Sequence, residues 1–220
     1  MKKIAVIVAG GNGSRMGSSM PKQFMALQGK PLLWHSIMAF VKAYPDIEII
    51  LVLPEKYLKY GKEITTEFPG VPVQVTAGGN TRFDSVKNGL SLITAEAVVF
   101  VHDAVRCLVS EQLIKKCYEQ AVEKGSAIPA IAATDSMRVI HAGKHAVVSR
   151  DDVRIIQTPQ TFLSDILLPA FQQTFNECFT DEATVVESTG REVFLVEGEY
   201  SNIKITRPVD LIIAEQILQP

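Results

Sequence analysis

Short β-branched apolar runs alternate along this chain with longer amphipathic stretches, and that rhythm leaves few architectures open. IAVIV (4–8), IEIILVL (47–53), VPVQVT (71–76) and AVVFV (97–101) have the length and composition of buried strands. Between them, Leu33, Ile37 and Val41 share one helical face behind Pro31. Phe83, Val86, Leu90 and Ile93 share another, with Asn80 or Thr81 as cap. Ser110 is placed to cap a further helix running through Lys124, with Gly125 as its stop. Strands and helices in alternation fold as a mostly parallel sheet covered on both faces, and such sheets bind ligands outside the carboxyl ends of their strands. The chain therefore reads as α/β, with its site expected where the strands end.

The rhythm breaks after about residue 133. There SMRVI, HAGK and HAVVS read as two strands around a glycine-containing turn, and they carry little apolar surface. A polar two-stranded excursion needs support from a body or from a second chain, so we read it as a β-arm for dimerisation, inserted at about 134–152 into a single domain over 1–220. EVFLVEG (192–198) and NIKIT (202–206) are expected to resume the parallel sheet before a final helix opened by Pro208.

Charge narrows the partners. Twenty-two Lys and Arg against twenty-four Asp and Glu leave a net charge of -2, so nothing draws the whole molecule to nucleic acid or to an anionic membrane. Any anion site must be built locally. Cys107, Cys117 and Cys178 are odd in number and widely spaced, which argues against a disulfide framework and a structural zinc site. No segment is long and apolar enough to cross a bilayer, and the N-terminal run enters glycines without a cleavage site. A cytoplasmic, soluble protein is expected.

Three motifs carry chemistry. The first is AGGNGSRMG (9–17), directly after the first strand and followed by Pro21-Lys22-Gln23. It breaks the dinucleotide fingerprint, since Met16 stands where the third Gly is expected, and it lacks the Gly-Lys-Ser/Thr of a P-loop. What it offers is a cradle of backbone N–H groups at Ala9, Gly10, Gly11, Asn12 and Gly13, with Arg15 and Lys22 able to reach a triphosphate. The bland alternative is a glycine-rich turn with solvated charges. The second is GGNTRFDS (78–85), where Gly79, Asn80 and the Ser85 hydroxyl offer contacts to a base or ribose, or simply start a capped helix. The third is His102-Asp103-Ala104-Val105-Arg106 at the end of AVVFV. Asp103 can help hold Mg²⁺ on phosphates, which takes only one or two protein carboxylates, or can cap the following loop. His102 reads as a packing or hydrogen-bonding residue. Farther along, Lys204 alternates with Ile203 and Ile205 and so points away from the face they bury. Neither a G-x-S-x-G elbow nor a Cys–His pairing supports a hydrolase nucleophile.

Taken in order, AGGNGSRM with PKQ, GGNTRFDSV, VHDAVR, ATDSM, QTPQ (157–160), TDEA (180–183) and NIKITRP resemble the sugar-phosphate nucleotidyltransferases, specifically the 2-C-methyl-D-erythritol 4-phosphate cytidylyltransferase family, from Lys3 to the last helix. The resemblance implies a Rossmann-like fold and transfer of CMP from CTP to that sugar-alcohol phosphate with Mg²⁺, in non-mevalonate isoprenoid synthesis. It further implies Arg15 and Lys22 as transition-state stabilisers, and Arg150 and Lys204 as substrate-positioning residues. Asp103 falls on the acidic residue near Mg²⁺, with Arg106 as its neighbour beside the substrate, and Gly79, Asn80 and Ser85 fall on the cytidine-binding segment. In the family the arm reaches across a homodimer, which assigns Arg150 and Ser136 to the neighbour's site. The chain departs from the pattern at Asn80, where many members carry Asp, at Gly10, where some carry Ala, and at Cys107, where Pro commonly follows the Arg. The amide of Asn80 keeps an acceptor oxygen but loses the charge. A ribitol 5-phosphate cytidylyltransferase shares much of this framework, and a CTP-binding regulator without turnover is the alternative of another class.

Overall fold

The computed structural model describes residues 1–9 and 21–219. In chain order its elements are β1 (Lys2–Val8), β2 (Ala26–Leu27), β3 (Lys30–Pro31), α1 (Leu32–Ala43), β4 (Glu48–Leu53), α2 (Leu58–Thr65), β5 (Val73–Ala77), α3 (Arg82–Leu90), β6 (Ala97–Asp103), α4 (Glu111–Lys124) and β7 (Ser126–Ala132). There follow β8 (Met137–His141), β9 (Lys144–Val148), β10 (Arg154–Ile156), β11 (Gln160–Leu163), α5 (Ser164–Ala170), α6 (Glu182–Glu187), β12 (Leu195–Glu197) and α7 (Pro208–Ile217).

The main sheet runs β10-β7-β11-β6-β1-β4-β5, with β12 beside β7. Its half from β6 to β5 is parallel throughout. Successive β1 residues serve opposite faces: Ala5 and Ile7 meet Leu33, Ile37 and Phe40 of α1, while Ile4 and Val6 meet Val86 and Leu90 of α3. A strand covered on both faces has no polar side to alternate with, which is why these strands read as continuous apolar runs. The close seating of α3 depends on Gly89, where a Cβ would stand 2.7 Å from Val6 Cγ1 and 2.8 Å from Val52 Cγ2. The expected caps form: Thr81 Oγ1 accepts from the Asp84 N–H in a capping box, Ser110 Oγ accepts from the Leu113 N–H, and Gly125 closes α4 at φ 89°.

The second half departs from the sequence expectation in two places. β11 lies antiparallel between β6 and β7, so the sheet is mixed on this side, although β12 does run parallel to β7 as EVFLVEG suggested. NIKIT forms no strand. Its burial does not follow a two-residue period, since Asn202 and Ile205 are buried and Lys204 exposed; among its main-chain groups the Ile205 N–H pairs with the Val105 carbonyl of a loop at 2.9 Å and no ladder forms. The arm is present as a hairpin, β8 against β9, turning at Ala142 (φ 48°) and Gly143 (φ 75°), as a type I′ turn requires. It stands away from the core, with Val139, Ile140 and Val147 between 57% and 76% exposed.

His102, fully buried on β6, shows how the fold anchors the strand's carboxyl end. Its Nε2–H donates to the Arg106 carbonyl at 3.2 Å, and its Nδ1 accepts from the Thr158 hydroxyl, 3.1 Å away; that hydroxyl oxygen in turn accepts from the Asp103 N–H. Burial, with Arg106 nearby, pushes the imidazole down to about 4 against the favourable charge of Asp103. The unfolded chain therefore takes up a proton near pH 6.5 that the folded chain refuses until about pH 4. Stability carried by neutral His102 is full above pH 6.5 and is lost as pH falls through that window, by a total on the order of 3 kcal/mol. Urea unfolding of the native chain and His102→Gln at pH 7 and pH 5 should show a smaller drop in the variant. An equal drop in both would show that another group carries the acid sensitivity.

Candidate active site

The carboxyl ends of β1 and β6, with the loop that follows β5, open onto a cavity of about 310 Å³. Val8 and Ala9 of the β1 end, Lys22 and Gln23, the loop Gly79–Arg82, Ser85, Asp103, Val105 and Lys204 line it. Three of these side chains are cationic and one is acidic, an imbalance suited to a polyanion in a chain whose net charge is -2.

Each wall has a local cause. Lys22–Phe24 is a single 3-10 turn tied back to the sheet by Gln23, whose Nε2 donates to the Ala9 carbonyl at 2.6 Å; this leaves Lys22 over the cavity, where its ammonium donates to the Ile205 carbonyl at 3.1 Å. The loop after β5 is fixed by Ser85, which accepts from the Gly79 N–H at 3.1 Å and donates to the Thr81 carbonyl at 2.9 Å. Gly79 is needed because a Cβ there would collide with Asp84. The Ser85 hydroxyl, expected to meet a ribose or base, therefore holds the loop that would do so.

Asp103 ends β6 between two cations. Its Oδ1 accepts from Arg82 Nη2 at 3.2 Å and its Oδ2 from the Lys204 ammonium at 2.7 Å. Burial alone would raise this carboxyl, but Arg82 and Lys204 outweigh burial and hold it well below the usual carboxylate range. Behind Arg82 lies Glu182, fully buried, whose two oxygens take the guanidinium fork at 2.5 and 3.1 Å.

Seven residues singled out from sequence share this cavity: Ala9, Lys22, Gly79, Asn80, Ser85, Asp103 and Lys204. Arg15, Gly10, Gly11, Asn12 and Gly13 lie outside the described residues. Arg106, expected beside the substrate, does not line the cavity. Its Nη1 donates to the Asn202 carbonyl at 2.8 Å and its Nη2 to the Ile156 carbonyl at 3.2 Å, so it braces the main chain on which Lys204 sits. Arg150 and Ser136 stand at the base of the arm, exposed, with Arg150 Nη1 donating to the Thr134 carbonyl; they too lie outside the lining of the cavity. The sequence reading missed Gln23 as a tether, Arg82 as a wall and Glu182 behind it. The pair Arg82–Glu182 spans 100 positions and left no local signal.

An open α/β sheet carrying such an anion cavity at its parallel carboxyl ends is suited to binding a nucleotide or another phosphorylated ligand. Comparison with known proteins gives the particular branch. The sequence profile of the family described as 2-C-methyl-D-erythritol 4-phosphate cytidylyltransferase (IspD) matches residues 3–220. A protein of that name from Bacteroides fragilis is 44% identical over 220 residues, covering 99% of this chain and 100% of its own. Among solved structures, the 4-diphosphocytidyl-2C-methyl-D-erythritol synthase of Anaerococcus prevotii superposes with a TM-score of 0.85 at 30% identity, covering 100% of this chain and 99% of its own. The Francisella tularensis cytidylyltransferase does so at 0.81 and 29%, covering 99% and 100%. The chain belongs to the IspD family of cytidylyltransferases.

Proposed function

We infer that the protein transfers CMP from CTP to 2-C-methyl-D-erythritol 4-phosphate, forming 4-diphosphocytidyl-2-C-methyl-D-erythritol and releasing pyrophosphate. The observation that carries this reading beyond family membership is the cavity itself, with Lys22, Arg82 and Lys204 around Asp103 at the parallel strand ends. The acceptor's phosphate monoester has a second pKa of about 6, so it is already a nucleophilic dianion at pH 7 and needs no base. Buried, neutral His102 is accordingly spent on holding the strand end. Catalysis consists of bringing two anions together and stabilising charge on the α-phosphoryl group and the departing pyrophosphate. Lys22, with Arg15 on the glycine loop, serves the triphosphate. Lys204, on Asp103, receives the acceptor phosphate.

Magnesium is part of the proposal. Among the described residues no three His, Cys, Asp or Glu side chains gather as a metal cage, so the ion would rest on Asp103 and on phosphate oxygens and water. Asp103 suits this: it is held ionised, and each of its oxygens keeps a lone pair beyond the one its cation takes. The ion supplies neutralisation of phosphate charge when bound. Arg150 and Ser136, away from the cavity of their own chain and beside an arm with exposed Val139, Ile140 and Val147, support a homodimer in which each arm completes the other site.

Pyrophosphate release from CTP, run with 2-C-methyl-D-erythritol 4-phosphate and with ribitol 5-phosphate, tests the assignment. Turnover with the first acceptor is expected, and turnover that prefers the second overturns it. Arg150→Ala should raise the KM for the acceptor at least about tenfold with little change for CTP, the pattern of lost ground-state binding to one substrate. An unchanged acceptor KM would remove the arm from the site.

A further inference from the structure

Four side chains, from β6, α3, α6 and the segment between β12 and α7, form one line of alternating charge that ends in the cavity. Lys204 meets Asp103 at 2.7 Å, Asp103 meets Arg82 at 3.2 Å, and Arg82 meets Glu182 at 2.5 and 3.1 Å. The two ends differ in exposure: the Lys204 side chain is 43% exposed and that of Glu182 is 0%. The buried end is also the fixed end. Glu182 is the first residue of α6, which Asp181 caps, and the Gln160 side chain clamps that helix start by donating to Asp181 Oδ2 and accepting from the Ala183 N–H.

A buried ion pair adds little net stability over apolar residues of the same volume, because desolvation consumes most of the attraction. What this one supplies is direction. With both Glu182 oxygens on the fork, Arg82 reaches Asp103 through Nη2 alone and at the longer distance, leaving Asp103 Oδ2 to Lys204. Without the Glu182 charge, the Arg82 fork is free to close on Asp103 with both nitrogens, the favoured arginine–carboxylate geometry, and to displace the ammonium.

We propose that Glu182 is a positioning residue: by engaging Arg82 from the buried side it keeps Asp103 on Lys204, and so fixes where the Lys204 ammonium stands to receive the acceptor phosphate. This rests on the reading of Lys204 given above. Nothing in it requires Glu182 to touch either substrate.

A double-mutant cycle on the full-length protein tests it, with KM for each substrate as the readout. Glu182→Gln should raise the acceptor KM at least about fivefold and leave the CTP KM within about twofold. In the Lys204→Ala background the same substitution should change the acceptor KM by less than about twofold, because the ammonium it positions is gone. Equal factors in the two backgrounds, or a CTP KM that rises in step, would overturn the inference by showing a general structural role. If Lys204→Ala alone leaves the acceptor KM unchanged, the reading of Lys204 falls and takes the inference with it. If Lys204→Ala raises it and Glu182→Gln does not, the inference alone falls. Should Glu182→Gln fail to fold, Glu182→Asp puts the same question, since it keeps the charge but, one methylene shorter, cannot hold both nitrogens of the Arg82 fork. It too should raise the acceptor KM at least about fivefold, and only while Lys204 is present.

Discussion

Replacing Lys22 by Ala is expected to lower turnover by at least about 10², the scale of one lost donor to a developing anion, with the fold intact. The structure explains why the loss should fall on chemistry and leave stability largely alone. Lys22 sits at the start of a single 3-10 turn whose attachment to the sheet runs through Gln23 and the Ala9 carbonyl, and Gln23 and Phe24 supply that turn's buried contacts. Among what the ammonium supplies are a charge over the cavity and the bond to the Ile205 carbonyl. Single-turnover rates with both substrates saturating, beside a thermal melt, separate the two effects. Arg15→Ala should behave alike. Unchanged turnover in both variants would contradict the assignment of these cations to the triphosphate.

Asp103→Asn is the second change with a large expected effect. The substitution preserves shape but leaves a single acceptor oxygen where two are in use, and turns an NH₂ group toward a cation. Arg82 keeps Glu182 as partner, so the ammonium of Lys204 is the group set loose. Turnover should fall at least about 10², half-saturating Mg²⁺ should rise, and stability should drop by about 2 kcal/mol, the scale of one hydrogen bond to a charged group. The stability loss has its own pH signature. Asp103 is held below the usual carboxylate range, so its contribution is present above the unfolded value near pH 4 and disappears as pH falls further. Glu182 runs the other way: burial raises it, with Arg82 offsetting part, so its contribution is fullest in acid and declines as pH rises. In unfolding curves from pH 7 to pH 2, the gap between wild type and variant should therefore hold down to about pH 4 and narrow only below it. A constant gap would show that shape, not charge, is what Asp103 provides.

How much of this was legible in the sequence follows from which interactions are local. β1, β4 and β6 are buried on both faces, so their continuous apolar runs identified them, and Ser110 and Gly125 marked both ends of α4 because caps act within one turn. β11 was invisible. Its four residues are too few to set a period, and its antiparallel place between β6 and β7 is decided by long-range pairing. β7 holds Pro129, a residue that ordinarily argues against an inner strand. NIKIT has a strand's alternation in its letters, Ile203-Lys204-Ile205, without becoming one, because the segment it meets is the loop at Val105. For Lys204 the alternation still gave the correct consequence: its side chain leaves the buried face and reaches Asp103.

The site divides the same way. Glycine-loop and strand-end residues announce themselves by glycine content and position, and Ala9, Gly79, Asn80 and Asp103 converge on the cavity. Arg106 was misplaced because sequence position beside Asp103 says nothing of where a long side chain turns. It turns to the Asn202 and Ile156 carbonyls. Arg82 was read as part of a helix start, and Glu182 as one letter of a short motif, since only the folded sheet brings α3 and α6 together over the end of β6.

The central claim is that the acceptor's own phosphate oxygen attacks the α-phosphorus of CTP and pyrophosphate leaves. Incubating the protein with Mg²⁺, CTP and 2-C-methyl-D-erythritol 4-phosphate carrying ¹⁸O in its phosphate, then weighing the products, tests it most directly. The account predicts a cytidine diphosphate-linked product that retains all the labelled oxygens, the bridging one included, together with unlabelled pyrophosphate. CMP with the acceptor returned unchanged, or CDP with a diphosphorylated acceptor, would contradict it.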